Sequence, residues 1–169
     1  KGTVYEGGIR EPLIVRWPGK IKAGSVSEAI VSSVDFYSTF MQLAKTQAPQ
    51  GQVLDGKSIL PALTENKYDP ERAVFWHYPV YHHDVPAGAV RKGDWKLIEN
   101  FVTDEVELYN LKSDISEANN LSDLFPEKRN ELEGILKNWQ KNVKAEFPIP
   151  NLNFDEKRRK EWGVPDGGW

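Results

Sequence analysis

Gly88-Ala89-Val90-Arg91, then Lys92-Gly93-Asp94, then Trp95-Lys96-Leu97-Ile98-Glu99-Asn100-Phe101 decides the fold of the second half of this chain. Two runs with strand character flank a tripeptide whose Gly and Asp suit a tight turn, so the stretch predicts an antiparallel hairpin. Upstream, Ala73 to Tyr78 has the same character, and so does Val106 to Leu111 after the turn Thr103-Asp104-Glu105. Short connections make the four runs one antiparallel sheet. Pro126, well suited to a helix start, opens a segment in which Leu132, Ile135, Leu136, Trp139 and Val143 recur at helical spacing over about five turns. A long helix covering one face of the sheet is expected there.

The first third reads differently. Glu6-Gly7-Gly8 carries paired glycines suited to positive φ or close backbone approach. Pro12-Leu13-Ile14-Val15-Arg16-Trp17, stopped by Pro18-Gly19, reads as a strand buried on both faces. Ser32 and Ser33 can cap a helix over about 34–45, with Phe36, Phe40, Leu43 and Ala44 on one face and Met41 at its margin. A short helical turn starts at Ser58, with Ile59, Leu60 and Leu63, before the polar stretch Glu65 to Pro70. The expected organisation is therefore residues 1–65, a small α+β unit over 66–145, and an irregular tail over 146–169, with three Pro and a charge run in its sequence.

Composition bounds the function. The 169 residues carry 25 acidic and 22 basic side chains, a net charge of −3, which gives no argument for nucleic-acid binding. With 39% apolar residues, six Trp and seven Phe, the chain has the material for a sizeable core. The absence of Cys excludes disulfides, thiolate metal sites and a Cys nucleophile within these residues. No apolar run approaches the roughly 20 residues of a membrane helix. Because the first residue is Lys and a turn follows at once, the sequence is expected to begin inside a longer protein.

Few side chains announce chemistry. Lys1, with the glycines and amides of Gly2-Thr3-Val4-Tyr5-Glu6-Gly7-Gly8, could hold an oxyanion, although paired glycines more often only shape a turn. His77, Tyr78, Tyr81, His82, His83 and Asp84 fall within a few positions, yet their spacing at a strand end favours packing and surface roles over a metal site. Asp35 is read as a charge favourable at a helix N-terminus. Asn120-Leu121-Ser122 fits the N-glycosylation tripeptide, and the run Lys157 to Lys160, flanked by Glu156 and Glu161, reads as a solvated face.

Several ordered motifs together resemble the C-terminal half of the type I sulfatases, within the alkaline-phosphatase-like superfamily. They are Lys1-Gly2-Thr3-Val4-Tyr5-Glu6-Gly7-Gly8-Ile9-Arg10-Glu11-Pro12, Trp17-Pro18-Gly19, Ser33-Val34-Asp35-Phe36-Tyr37 and Leu54-Asp55-Gly56-Lys57-Ser58. Phe75-Trp76-His77-Tyr78-Pro79, the 89–98 hairpin, Glu107-Leu108-Tyr109-Asn110-Leu111 and 114–121 resemble the family's small C-terminal domain, so the likeness covers about residues 1–145.

The resemblance implies an α/β parent whose large catalytic domain ends in residues 1–65 and whose small domain is the sheet and long helix. It implies hydrolysis of sulfate esters of a sulfated sugar or aryl sulfate, using a formylglycine beside a calcium ion. Both would be supplied upstream, leaving this chain inactive alone and holding neither. By the same resemblance Lys1 contacts the sulfate group as the catalytic residue of this segment, while His77 and Arg91 are candidate substrate contacts. A periplasmic or secreted location is expected on that basis. The alternatives are a phosphodiesterase or phosphonate hydrolase of the same superfamily, or a noncatalytic structural or carbohydrate-contacting module. Residues 1–65, cut from their neighbours, are expected to be poorly ordered or to self-associate.

Overall fold

The computed structural model describes residues 2–155 and 157. Lys1 and most of the 156–160 charge run lie outside them. The element order is α1 (Glu6–Ile9), α2 (Asp35–Leu43), α3 (Leu60–Glu65), β1 (Ala73–Tyr78), β2 (Ala87–Lys92), β3 (Trp95–Asn100), β4 (Val106–Asn110) and α4 (Pro126–Val143). The four strands lie in sequence order in one antiparallel sheet, as their short connections predict. Lys92 pairs with Trp95, so Gly93 and Asp94 form a two-residue turn, with Gly93 at φ 57°.

Packing divides the chain into two units: residues 2–10 with the chain from Phe75 onward, and Glu11–Val74. The sequence reading placed all of 1–65 in one unit. Residues 2–10 belong instead with the sheet, because Val4 is buried in its core beside Ala87, Ala89, Ile98, Tyr109 and Leu111.

In the sheet unit, register assigns the two faces. Ala89, Ile98 and Glu107 are aligned across β2, β3 and β4, as are Arg91, Lys96 and Tyr109 one pleat along. This face receives residues 2–10. On the other face Val90, Leu97 and Leu108 are aligned and buried, and α4 lies over β2 and β3 with Leu132 and Leu136 fully covered. Trp139 is half-buried and stacks on Phe75 at 4.7 Å between ring centroids. The N–H groups of Leu108 and Leu121 point to the Asn120 side chain and the Leu108 carbonyl respectively, so the 120–121 segment satisfies the outer edge of β4. Asn120 thus has a structural role in the chain's own packing.

In the Glu11–Val74 unit, residues 12–17 form no strand and are largely exposed, contrary to the sequence reading. A strand requires a hydrogen-bonding neighbour, and no described segment supplies one. The helix near 34–45 is present as α2, but neither Ser32 nor Ser33 caps it through a side chain. Asp35, the first residue of the helix, instead accepts the Ser32 N–H of the preceding segment through Oδ2 at 2.8 Å. It is also fully buried and grips Arg72 in a two-pronged contact at 2.6 and 2.8 Å, while Oδ1 accepts the Lys57 N–H. Asp35 is therefore the hub of this unit and more than a surface charge at a helix end. Burial pushes its carboxyl up, and the Arg72 and amide hydrogen bonds outweigh that, leaving it below its ordinary value. Phe36, Phe40 and Leu43 on α2 remain exposed.

Candidate functional site

Residues 2–10 form a tight loop and one helical turn pinned to the sheet. Gly2 adopts φ 87°, a region costly for other residues. A Cβ there would meet His82 Nδ1 and His83 Cδ2 at 2.5 Å each. Gly8 likewise leaves no room, because a Cβ would stand 2.3 Å from the Thr3 carbonyl oxygen. The paired glycines thus serve close approach at Gly8, with positive φ at Gly2 instead.

Between this loop and β1 lies a cleft of about 330 Å³ lined by Gly2, Thr3, Ile9, Trp76, Tyr78 and His82 among others. Its walls are mainly apolar and aromatic, and the rings of His82 and His83 lie 4.1 Å apart at its edge. Such walls with a few polar groups are the usual make-up of a small-molecule site.

Beneath the loop is a buried charge network. The Lys96 ammonium, with no exposed side chain, lies 3.0 Å from Glu6 Oε1 and 2.7 Å from Glu117 Oε1. Glu117 Oε2 accepts the Glu6 N–H at 2.5 Å. Arg10 approaches Glu6 at 3.1 Å and Arg91 at 3.9 Å. Burial raises the Glu6 carboxyl, but Lys96, aided by Arg10 and Arg91, overrides it and holds the group below its ordinary value. Nearby, Tyr5 and Tyr109 both donate to Glu107 Oε2, at 2.7 and 3.0 Å. Burial first, the hydrogen bond to Glu107 second and its charge third push both phenols upward.

The sequence-predicted residues separate as follows. His77 is among the residues lining the cleft, yet its Nε2 lies 2.7 Å from the Glu146 carbonyl and its ring packs against Phe101 and Phe147. Arg91 donates to the Gly93 carbonyl and faces Glu6. His82 and His83 stand together, while His77 is tied to Glu146. Among the described residues no group of three or more His, Asp or Glu is arranged to hold a metal ion. Lys96, Glu6 and Glu117 were not singled out by sequence, since a lysine within a strand reads as a solvent-facing position. The same segments carry Gly2 and Trp76, which the family resemblance quoted without assigning a role.

Comparison with known proteins gives the site its context. The family model "N-sulphoglucosamine sulphohydrolase, C-terminal" matches residues 1–145. A sulfatase of Formosa agariphila is 39% identical over 133 residues, covering 72% of this chain and 24% of that protein. An N-acetylglucosamine-6-O-sulfatase of Bacteroides thetaiotaomicron is 36% identical over 157 residues, covering 88% of this chain and 28% of that one. A protein solved in complex with its substrate, D-glucosamine-2-N,6-O-disulfate, is 35% identical with a TM-score of 0.66, covering 80% of this chain and 29% of that one. The chain spans about a quarter of the length of these relatives.

Proposed function

The chain belongs to the sulfatase family, as a C-terminal portion, and from that premise we propose that its parent protein hydrolyses a sulfate ester on an amino sugar. The observation that carries this reading is the aromatic cleft beside Gly2, directly after Lys1 in sequence, in a chain similar to proteins that act on 6-sulfated amino sugars. In this reading the Lys1 ammonium offsets charge on the sulfate oxygens as the S–O bond breaks, an electrostatic contribution that is often the largest in such catalysis. Trp76 and Tyr78 offer ring faces to the C–H surface of a sugar, and His82 a hydrogen bond to a hydroxyl. His77 contributes at the cleft margin if substrate displaces its bond to Glu146. Arg91 keeps the loop's acidic residue neutralised and adds positive potential below the cleft.

A formylglycine would supply the nucleophile and a calcium ion would polarise the sulfate. The residues of this chain do not fit either group, since it has no Cys, none of its Ser stands in a Ser-x-Pro-x-Arg setting, and the described residues offer no metal-ligating cluster. In this reading both come from sequence outside this chain, and the chain alone is expected to show no turnover. Sulfated polysaccharides lie outside the cytoplasm, so the same reading puts the parent in the periplasm or outside the cell. No helix among the described residues is long and apolar enough to cross a membrane.

The test is turnover by the parent protein of N-acetylglucosamine 6-sulfate against an aryl sulfate and a phosphate diester. Preference for the sulfated sugar, reduced about 10²–10³-fold in kcat/KM by Lys1→Ala, is expected by analogy with loss of one oxyanion donor. Preference for the phosphate diester would move the parent to the phosphodiesterase branch.

A further inference from the structure

We propose that Phe147 and the Glu146 carbonyl are positioning groups for His77: they fix its ring and its tautomer on the cleft wall, so that it meets a sugar as a hydrogen-bond acceptor. This inference rests on the reading of the cleft above. Displacement of the Glu146 bond is one route for His77 to meet substrate; the second route keeps that bond. The segment concerned follows α4, which ends on Lys144 at φ 54°, in the left-handed region, with the Ala145 N–H returning to the Gln140 carbonyl at 2.9 Å. Such a turn ends a helix and redirects the chain. The next two residues reach His77, and they lie just past residues 1–145, the stretch that the family model matches.

Three rings from three parts of the unit meet here. His77 near the end of β1, Phe101 directly after β3 and Phe147 have centroids 5.1 Å (His77 to Phe101), 5.2 Å (His77 to Phe147) and 5.0 Å (Phe101 to Phe147) apart, with Phe147 edge-on to the imidazole at 83°. Phe101 is itself fixed. Its N–H donates to the Pro86 carbonyl at 2.9 Å, and Gly88 makes room for its ring, since a Cβ there would stand 2.8 Å from Cζ. The imidazole is thus held by two rings and, at Nε2, by a carbonyl. That carbonyl decides the tautomer: a carbonyl oxygen only accepts, so the 2.7 Å contact requires the proton on Nε2 and leaves Nδ1 of the neutral ring an acceptor. Nδ1 is buried and has no partner among the described residues. An acceptor left without a donor is costly, and the open space beside this ring is the cleft that His77 lines. The group that suits it is a hydroxyl or an amide N–H of a sugar. A sulfate or carboxylate oxygen, which only accepts, does not.

The experiment is a double-mutant cycle in the full-length parent, measuring kcat and KM on N-acetylglucosamine 6-sulfate for His77→Ala, Phe147→Ala and the pair. Phe147→Ala is expected to raise KM about 10-fold, the worth of one hydrogen bond, with kcat nearly unchanged. In the His77→Ala background the same change should add little, because the group it positions is gone. Leu136→Ala, under α4, is the control for plain destabilisation and should leave KM alone in either background. Histidine 15N NMR of the parent reads the tautomer directly: the His77 signal, assigned by its loss in His77→Ala, should be that of the Nε2–H form and should turn into a mixture in Phe147→Ala. An Nδ1–H signal, full multiplication of the two KM losses, or no change in KM with His77→Ala would each overturn the positioning role. So would a fall in KM with Phe147→Ala, the sign of a contact that competes with substrate. All four leave the sulfatase reading intact, since that is read from turnover by the unaltered parent; no such turnover would overturn both. Should Phe147→Ala fail to fold, Phe147→Leu, which keeps apolar volume without the ring, is run through the same cycle with the same outcomes.

Discussion

Lys96 shows how much a single residue can hold at a distance. Its partner Glu6 is 90 positions away in sequence, and both are buried, so removing either takes a partner from a buried charge. The left-handed Glu117 allows a sharp separation of effects. Glu117→Gly should relieve backbone strain of about 1–2 kcal/mol, yet lose a paired buried carboxylate whose removal costs about 3–5 kcal/mol. The expected net is a loss of roughly 2 kcal/mol in urea unfolding; a gain in stability would mean that the ion triad is dispensable. A pH dependence follows as well. The Glu6 carboxyl is depressed in the folded state from an ordinary value of 4.5, so the unfolded chain binds a proton first as pH falls. Its contribution is complete above about pH 4.5 and is lost as pH drops through the lower folded value. Asp35 behaves the same way from an ordinary value of 3.8. Thermal unfolding should therefore show a steep fall below pH 4.5 that Glu6→Gln flattens; an unchanged profile would remove Glu6 from the linkage. None of this was legible in the sequence, since a lysine in an alternating strand gives the same pattern whether its face is open or capped by a distant acidic loop.

At the scale of elements, legibility follows locality. The 92–95 turn, the four strands and the 126–143 helix are all determined by neighbours within a few positions, and each is present with bounds close to those the residue pattern implies. Leu136 has no exposed surface, so Leu136→Ala should cost roughly 2–5 kcal/mol, read from the shift of the unfolding midpoint. The apolar run 12–17 carries an equally clear strand pattern but forms none, because strand formation depends on partners that local sequence does not contain. Gly56 is the element-level position that the pattern undervalued. It appears in the sequence only as one residue of the Leu54–Ser58 motif, yet a Cβ there would stand 2.1 Å from the Val34 carbonyl oxygen, at the start of α2. Backbone cannot move aside as a side-chain tip can. Gly56→Ala should thus destabilise the Glu11–Val74 unit by about 1–3 kcal/mol, with amide exchange quickened at Asp35 and Lys57 and unchanged in β3.

At the scale of the whole molecule, the surprise is that residues 2–10 complete a unit otherwise built from residue 75 onward. A boundary near 66 was drawn from polar composition, which marks loops well but says nothing about a distant segment returning to the sheet. The consequence can be measured. A chain of residues 66–145 retains the sheet and α4, but it leaves Ala87, Ala89, Ile98 and Tyr109 without the Val4 and Tyr5 cover. It also strands Lys96 with Glu117 alone, and it opens the phenol of Tyr109 and the Glu107 carboxylate to water. Burial of Val4 accounts for about 1.5–3 kcal/mol of hydrophobic stabilisation, which is a large share of what a domain of this size commands. The truncated chain should fold with a lowered melting temperature. Adding a synthetic peptide of residues 1–10 should raise it again in a concentration-dependent way, as any ligand selective for the native state does. The same peptide carrying Glu6→Gln should rescue less, and one carrying Gly2→Ala should rescue less still, because its Cβ collides with His82 and His83. Equal melting temperatures with and without the peptide would mean that residues 2–10 only rest on the sheet.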